Sequence, residues 1–340
     1  RVLEVKAGQT TVALYLTDGE TWTSQEEAVG RAAVNGNTIE LELPKSVLGE
    51  AGNGNMIPMQ VVLRDKEAVL LNEDAPLAIQ YFSFEPLTSV LLIQDPEGDD
   101  YGPGTYTYPT DGVFKAGDFD LTEFEVSGDG ANIYFSFTMK APITNGWGSP
   151  NGFSVQTFDV YIDKDPGAGT GNRMLLPGRN AALQEGSGWD VAVWVEGWTP
   201  QVVVPGEDPM AEPVKDTEAT SAMKVYVDPG KNAVIASVPL EFFGEGSPKD
   251  WSYAAVVLGQ EGYPSEGVWR VRDVNQKAEA YRFGGAPQDN NHTRIIDLAL
   301  SIAQSYDQKS WLSTYPSSAQ PIDGKEPEHF ALIPMISQVQ

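Results

Sequence analysis

The chain has 340 residues, of which 41% are hydrophobic, so it is long enough for two domains that each bury a core. Its 48 acidic and 22 basic residues give a net charge of −26, which disfavours binding to nucleic acid and to anionic lipid surfaces. Without any cysteine, disulfides and thiolate sites are excluded, and no apolar run reaches the roughly 18 residues of a membrane-spanning helix.

Short runs rich in β-branched and aromatic residues predict strands, because 34 glycines and 24 prolines separate these runs with turn signals. Alternation of apolar and polar residues is clearest over residues 38–43, 133–138, 158–163 and 189–198. A helical period is predicted only over residues 293–306, and residues 46–48 form at most a single turn. The pattern predicts an all-β protein.

Two stretches of the chain repeat one another at identical spacing. The matched positions are Asn37, Pro44, Gly49 and Glu50 in the first copy and Asn232, Pro239, Gly244 and Glu245 in the second. We therefore expect residues 1–85 to be a partial or small β-sandwich, related to the second half of a complete domain formed by residues 88–340. The alternative is coincidence, since strands followed by Pro and Gly turns are common in β proteins. Residues 204–220, rich in Pro and acidic residues, are predicted to be an exposed excursion within the larger domain.

Long motifs between residues 95 and 198 resemble a known family. They are DPEGDDYGPGTYTYPTDGVFKAGDFDLTEFEV from Asp95, NGWGSPNGFSVQTFDVYID from Asn145, LLPGRNA from Leu175 and GWDVAVWVEGW from Gly188. Together with HFALIPMI near the end of the chain, they resemble the C-terminal module of glucodextranase, which also occurs in amylopullulanases and surface-layer-associated proteins. The resemblance covers about residues 88–336. Residues 30–80 resemble the second half of the module more weakly.

The resemblance implies an antiparallel β-sandwich similar to DOMON domains and family 9 carbohydrate-binding modules. It also implies a non-catalytic appendage of a secreted glycoside hydrolase or surface protein, which binds polysaccharide or holds its enzyme near the cell wall. The chain begins at Arg1 without a charged region followed by an apolar one, so we expect a piece of a larger extracellular or cell-surface protein.

Six of the seven carboxylates in residues 95–120 cluster at the two ends of this segment, on loops rich in Gly and Pro: Asp95, Glu97, Asp99, Asp100, Asp118 and Asp120. Calcium binds about six to eight oxygens, and flexible loops can supply them as carboxylates and backbone carbonyls. Calcium bound only to the folded chain would stabilise it. We therefore predict a structural calcium ion with four preferred ligands, Asp99, Asp100, Asp118 and Asp120. A solvated acidic turn without metal is the alternative.

A second acidic group follows the strand predicted over residues 158–162. Alternation places Asp159, Tyr161 and Asp163 on one face of this strand. We include Asp163 as a further candidate calcium ligand. Asp165 lies in a Gly- and Pro-rich segment and is interpreted as a turn residue.

The aromatic residues include candidates for sugar binding, because an indole face can stack on the apolar C–H face of a pyranose ring. Trp147 lies in a loop of small residues with little local cover. In the strand predicted over residues 189–198, alternation places Trp194 and Trp198 on one face with Asp190 and Glu196. Tyr101 flanks the acidic stretch. Packing in the core is the alternative role for each ring.

The residues needed for common catalytic sites are scarce. The chain has no G-x-S-x-G motif and only two histidines, so neither a Ser-His-Asp triad nor a His-rich metal site is predicted. We therefore predict a non-catalytic extracellular module that binds polysaccharide or cell-wall polymer and is stabilised by calcium. Two alternatives stay open: a surface-layer or cell-wall assembly module without sugar binding, and an enzyme with an unrecognised carboxylate pair.

The Asn291-His292-Thr293 pattern accepts N-glycans only if it is exposed.

Overall fold

The structure is a computed structural model that describes residues 2–4, 11–17, 21–24, 30–35, 38–44, 56–59, 62–64, 68–70, 77–80, 87–207, 211–302, 307–320 and 326–338. The chain divides into two compact units, Arg1–Ser83 and Phe84–Gln340. None of the helices in the described residues combines the length and apolarity needed to cross a membrane.

The smaller unit is built from short strands. They are β1 (Val2–Glu4), β2 (Thr11–Thr17), β3 (Trp22–Ser24), β4 (Gly30–Asn35), β5 (Thr38–Glu42), β6 (Met56–Met59), β7 (Val62–Arg64), β8 (Ala68–Leu70) and β9 (Leu77–Gln80). In the described part, β2 pairs with β1, β3 and β4, and β5 extends this antiparallel sheet from β4. Val12 and Leu14, two residues apart on β2, are both buried, as the period of a strand requires.

The described residues of the larger unit form the remaining strands and two short α-helices. They are β10 (Thr88–Gln94), β11 (Leu121–Gly128), β12 (Asn132–Met139), β13 (Gln156–Asp163), β14 (Ala181–Leu183), β15 (Val191–Glu196), β16 (Gln201–Val204), β17 (Val214–Asp216), α1 (Thr217–Ala222), β18 (Lys224–Asp228), β19 (Ala233–Pro239), β20 (Ser252–Gly259), β21 (Ile295–Leu298), α2 (Gln308–Ser313), β22 (Ala331–Ile333) and β23 (Ile336–Ser337). One sheet has the order β10-β11-β12-β19-β18. The other has the order β17-β16-β15-β13-β20-β21, with β23 also paired to β20.

The two larger sheets are antiparallel and share one apolar core. Phe137 of β12 stacks on Phe158 of β13, with ring centroids 4.5 Å apart, and Phe124 of β11 packs against Phe137. All three rings are fully buried. The predicted all-β sandwich is confirmed.

The second of these sheets is covered on its outer face as well. Every residue of β13 and β20 is buried. Loops supply the cover: Arg179 forms a two-bonded ion pair with Asp159 of β13, at 2.7 and 2.9 Å, and neither side chain is exposed. Strict alternation of burial is therefore lost along these strands.

Each of the two repeated stretches contains the second strand of an antiparallel hairpin. Asn35 lies opposite Thr38 where β4 meets β5, and Asp228 lies opposite Ala233 where β18 meets β19. In the second copy the segment after the hairpin is a 3-10 turn, Leu240–Phe243. The single turn predicted over residues 46–48 lies outside the described residues.

The helix predicted over residues 293–306 is wrong for its described part. Ile295–Leu298 is strand β21, which pairs with β20. The apolar residues at 296, 298, 300 and 302 recur every second residue, which is the period of a strand. The predicted excursion over 204–220 also contains regular structure, because β17 pairs with β16 and α1 follows it, capped by the Asp216 side chain.

Candidate functional site

The acidic stretch gathers at one end of the first large sheet. Strand β10 ends directly before Asp95, and β11 begins directly after Asp120. These strands are antiparallel neighbours, so the loop between them begins and ends at the same end of the sheet. There the Asp95 amide donates a hydrogen bond to the carbonyl of Thr122. Strand β21 of the other sheet contributes Asp297 to the same place.

Asp95, Asp99 and Asp297 form a carboxylate group, here called the Asp95 triad, with one oxygen from each residue lying within 4.8 Å of the others. Asp95 is 2% exposed and Asp297 is fully buried. Backbone amides hold both: Leu300 donates to Asp95 Oδ1 at 2.6 Å, and Leu121 and Leu298 each donate to Asp297 at 2.8 Å. Asp95 Oδ2 and Asp99 Oδ1 are buried without a hydrogen-bond partner among the described residues.

The triad is electrostatically unfavourable as it stands. Burial raises the pKa of Asp95 to about 9, with further contributions from the charges of Asp99 and Asp120. Burial, together with the charge of Asp120, raises the pKa of Asp99 to about 6. The pKa of Asp297 is raised well above its ordinary value, again mainly by burial. A cation among these oxygens would reverse each of these shifts.

Three of the four other carboxylates of the stretch, Asp100, Asp118 and Asp120, have different partners. Asp100 accepts a hydrogen bond from the Tyr108 hydroxyl. Asp118 Oδ2 accepts from the Lys115 amide at 2.6 Å, while its Oδ1 is buried and unpaired among the described residues, and burial raises the Asp118 pKa to about 6. Asp120 is already compensated, because it pairs with Lys140 Nζ at 3.0 Å and accepts from the Gly98 amide.

Asp163 lies in a second acidic group, with Asp165 and Asp190, and not in the Asp95 triad. Local bonds satisfy this group: the Asp165 amide donates to Asp163 at 3.1 Å, and the Lys164 amide donates to Asp190 at 2.8 Å. The Thr170 hydroxyl donates to Asp165 at 2.7 Å. These bonds are those of a tight turn at the end of β13.

Asp297 was missed as a candidate ligand, and Asp95 was counted in the acidic stretch but not preferred. Asp297 lies about 200 residues along the chain from Asp95, in a segment interpreted as a helix. A usable signal was present, because a single carboxylate within the apolar run Ile295-Ile296-Asp297-Leu298 needs a compensating partner once that run is buried.

Aromatic and charged side chains gather at the other candidate site, the end of the second large sheet at which β13 begins and β15 and β20 end. Thr157 lies opposite Glu196, and Gln156 lies opposite Gly259. The segments before β13, after β15 and after β20 therefore emerge together. They present Trp147, Trp198, Trp269 and the charged residues Glu196, Arg270 and Arg272, which we call the aromatic rim.

Trp147 is half-buried and packs edge-on against Phe114, with centroids 5.8 Å apart. The buried Arg272 guanidinium lies 5.4 Å from the centroids of both rings. Arg272 also lies 3.6 Å from Glu261, which pairs with Arg282 at 2.6 Å. The indole thus keeps part of its surface accessible while its position is fixed.

Trp198 is also half-buried, with the Arg270 guanidinium 5.8 Å from its ring centroid. Arg270 has a positive φ of 48°, which is a strained backbone conformation for a residue other than glycine. Its Nε lies 3.6 Å from Oε1 of Glu196, a residue that is fully buried.

Trp194 is enclosed, at 2% exposure, so its ring is not accessible to a polysaccharide. Its Nε1 donates to Thr157 Oγ1 at 2.9 Å, and Trp269 stacks on it with centroids 5.9 Å apart. Trp269, from a loop about 75 residues further along the chain, is the half-buried ring of this pair. The sequence does not indicate the roles of Trp269, Arg270 and Arg272, because alternation within β15 does not reveal which loop covers this strand.

Two further residues lie apart from the rim. Tyr101 is 42% exposed at the acidic loop, with its ring 6.4 Å from that of Tyr108. Asn291, in the glycosylation pattern, is 1% exposed, and its Nδ2 donates to the Pro316 carbonyl at 2.6 Å. The folded chain therefore offers no accessible acceptor at this position.

Comparison with known proteins agrees with the resemblance found in the motifs. The profile of one family, described as the C-terminal binding module, SLH-like, of glucodextranase, matches residues 90–323. This span covers more than half of the chain and includes both the Asp95 triad and the aromatic rim. No curated protein sequence matches the chain significantly. The chain therefore belongs to the family of SLH-like C-terminal binding modules of glucodextranase.

Proposed function

We propose that the chain is an extracellular, non-catalytic carbohydrate-binding module of a secreted glycoside hydrolase, and that it binds α-glucan or cell-wall polysaccharide at the aromatic rim. The supporting observation is that two half-buried indoles, Trp147 and Trp198, lie at one end of the second large sheet, each beside an arginine. The description of the family as a binding module of glucodextranase supports the same function.

The chemistry of the rim suits a neutral sugar. An indole offers an apolar face to the C–H groups of a pyranose, while neighbouring charged groups accept and donate hydrogen bonds to its hydroxyls. Arg270 supplies such a group beside Trp198, and backbone hydrogen bonds hold its segment in place. Rings fixed in advance lose little conformational entropy when they bind.

A calcium ion in the Asp95 triad is part of this proposal, with a structural role. The fit rests on the unpaired buried oxygens of Asp95 and Asp99, together with the buried carboxylate of Asp297. Hard divalent cations bind oxygen ligands of this kind, and calcium tolerates irregular loop geometry. Asp99, Asp95 and Asp297 would hold the ion, while Asp120 is already paired with Lys140.

Affinity electrophoresis in gels that contain starch, pullulan or dextran tests the sugar-binding function. We expect at least one gel to retard the wild-type chain, and we expect Trp147→Ala and Trp198→Ala to reduce the retardation. Trp311→Ala is the matched control, because Trp311 is a half-buried indole on α2, outside the rim. Equal mobility of the wild-type chain in all gels would contradict sugar binding by this module.

A surface-layer or cell-wall assembly module without sugar binding is the second candidate. It is favoured by the SLH-like description and by a groove of about 340 Å³ beside β10, which ends its sheet in the described part. Leu92 is 52% exposed on this strand. Under this alternative, Leu92→Lys would abolish sedimentation with cell-wall preparations, whereas the rim variants would leave it unchanged.

A further inference from the structure

Tyr281 offers a second accessible ring beside Trp147. It is 48% exposed, and its ring packs edge-on against Phe114 with centroids 6.4 Å apart. Trp147 packs edge-on against the same Phe114, so the two accessible rings flank one buried ring. The Tyr281 hydroxyl is hydrogen-bonded to Asp111, and the Asp111 amide donates to the Ala280 carbonyl at 3.0 Å. Tyr281 is therefore an accessible ring whose position is fixed.

Tyr263 offers a third ring, four residues after the end of β20. At 93% exposure it is the most exposed large hydrophobic side chain in the part of the chain that the structure describes. Its amide donates to Glu261 Oε1 at 2.9 Å, and the following Pro264 restricts its backbone to extended conformations. Because so little of this ring is buried, it contributes almost nothing to the stability of the fold.

One ion pair connects Tyr263 to Tyr281. Glu261, which holds the Tyr263 amide, pairs with Arg282 at 2.6 Å. Arg282 follows Tyr281 directly and donates to its carbonyl at 3.0 Å. Exposed apolar side chains that are scattered singly are common, whereas Tyr263, Tyr281 and Trp147 are connected through direct contacts. They form one accessible surface.

We infer that Tyr281 and Tyr263 extend the binding surface of the aromatic rim, so that the module binds several consecutive units of one α-glucan chain. Each ring can stack on the C–H face of a different unit, and Arg282, whose side chain is 29% exposed, can donate hydrogen bonds to their hydroxyl groups. Binding of linked units is strengthened because each further contact is intramolecular. This inference rests on the proposed sugar-binding function and adds the length of the ligand and the residues that recognise it.

Titration with sugars of two lengths tests the inference. Isothermal titration measures the binding of maltose and maltohexaose, and of isomaltose and isomaltohexaose, to the full chain and to its Tyr263→Ala/Tyr281→Ala double variant. In the series that the wild type binds, we expect the double variant to bind the hexasaccharide about tenfold more weakly than the wild type does, and the disaccharide within about twofold. Comparing the two proteins at each length cancels the larger number of positions at which a long chain can bind.

Two single variants make the test independent of folding. Tyr263→Phe keeps the ring and should bind the hexasaccharide as tightly as the wild type. Tyr263→Ala should melt at the same temperature as the wild type, because its side chain is exposed, and should bind the hexasaccharide more weakly. If Tyr281→Ala lowers the stability of the double variant, Tyr263→Ala alone decides the outcome.

The outcomes separate this inference from the proposed function. Wild-type affinity for the hexasaccharide in the alanine variants would overturn the inference while sugar binding stands. An equal loss for both lengths would also overturn it, since the tyrosines would then act on the same units as Trp147 and Trp198. If the wild-type chain binds neither series, the proposed function and the inference both fail.

Discussion

Replacing Asp95 with asparagine should separate the metal-binding role of the Asp95 triad from its role in the fold. Asparagine keeps Oδ1 as acceptor for the Leu300 amide and replaces only the unpaired Oδ2 by an amide group. The variant therefore removes one buried ionisable group without breaking a backbone hydrogen bond. We expect Asp95→Asn to be more stable than the wild type when calcium is absent, and to lose its response to calcium.

The magnitude follows from the pKa of Asp95. Burial raises this pKa from 3.8 to about 9, so at pH 7 the metal-free folded chain keeps a proton that the unfolded chain has released. Each pH unit between 3.8 and 7 costs about 1.4 kcal/mol, giving up to about 4 kcal/mol at pH 7. Calcium at about a thousand times its dissociation constant contributes a stabilisation of about 4 kcal/mol. For a unit of this size, either change corresponds to a shift of about 10 °C in melting temperature.

Differential scanning calorimetry with and without a chelator provides the assay. In chelator, the stability of the wild type should fall as pH rises from about 4 towards 9, because the folded state holds the Asp95 proton more tightly than the unfolded state does. Calcium should remove this slope. Asp165→Asn, at an exposed carboxylate of the second acidic group, is the control and should keep the full calcium response. An Asp95→Asn variant that is less stable than the wild type in chelator, or that still responds to calcium, would contradict a metal-binding role for Asp95.

Three further predictions concern residues outside the triad. Trp194→Ala should lower the free energy of unfolding by about 3–5 kcal/mol in denaturant titrations, since the ring is enclosed, and a loss below about 1 kcal/mol would contradict its burial. Asp159→Asn should cost a similar 3–5 kcal/mol or so because it leaves Arg179 buried without its counter-charge, whereas Asp228→Asn, on a surface turn, should cost far less. Asn291 should carry no glycan when the chain is secreted from a glycosylating host, because its Nδ2 is buried, and an added glycan in the intact mass would contradict this.

Strands could be predicted where apolar and polar residues alternate along the sequence. Residues 133–138 and 158–163 alternate, and they lie within β12 and β13. Patterning failed where apolar residues occupy both faces of a segment, because strand and helix then look alike over a few residues. Residues 295–298 are the example: apolar residues lie on both faces, interrupted only by Asp297, and pairing with β20 decides that the segment is a strand.

The candidate sites could be predicted only in part. The loop between Asp95 and Asp120 is rich in carboxylates in the sequence itself, so a metal site could be anticipated there. The contribution of Asp297 depends on β21 lying against this loop, which no local signal specifies. Likewise, the covering of Trp194 by Trp269 depends on a loop from a distant part of the chain, so alternation within β15 could not distinguish the enclosed ring from the half-buried Trp198.

Isothermal titration of the calcium-loaded chain with maltotriose and isomaltotriose tests the sugar-binding claim most directly. We expect saturable binding of at least one of these sugars, with loss of binding in the Trp147→Ala/Trp198→Ala double variant and retention in Trp311→Ala. Binding that is equal in the wild type and the double variant, or heats indistinguishable from dilution for every protein, would contradict a carbohydrate site at the aromatic rim.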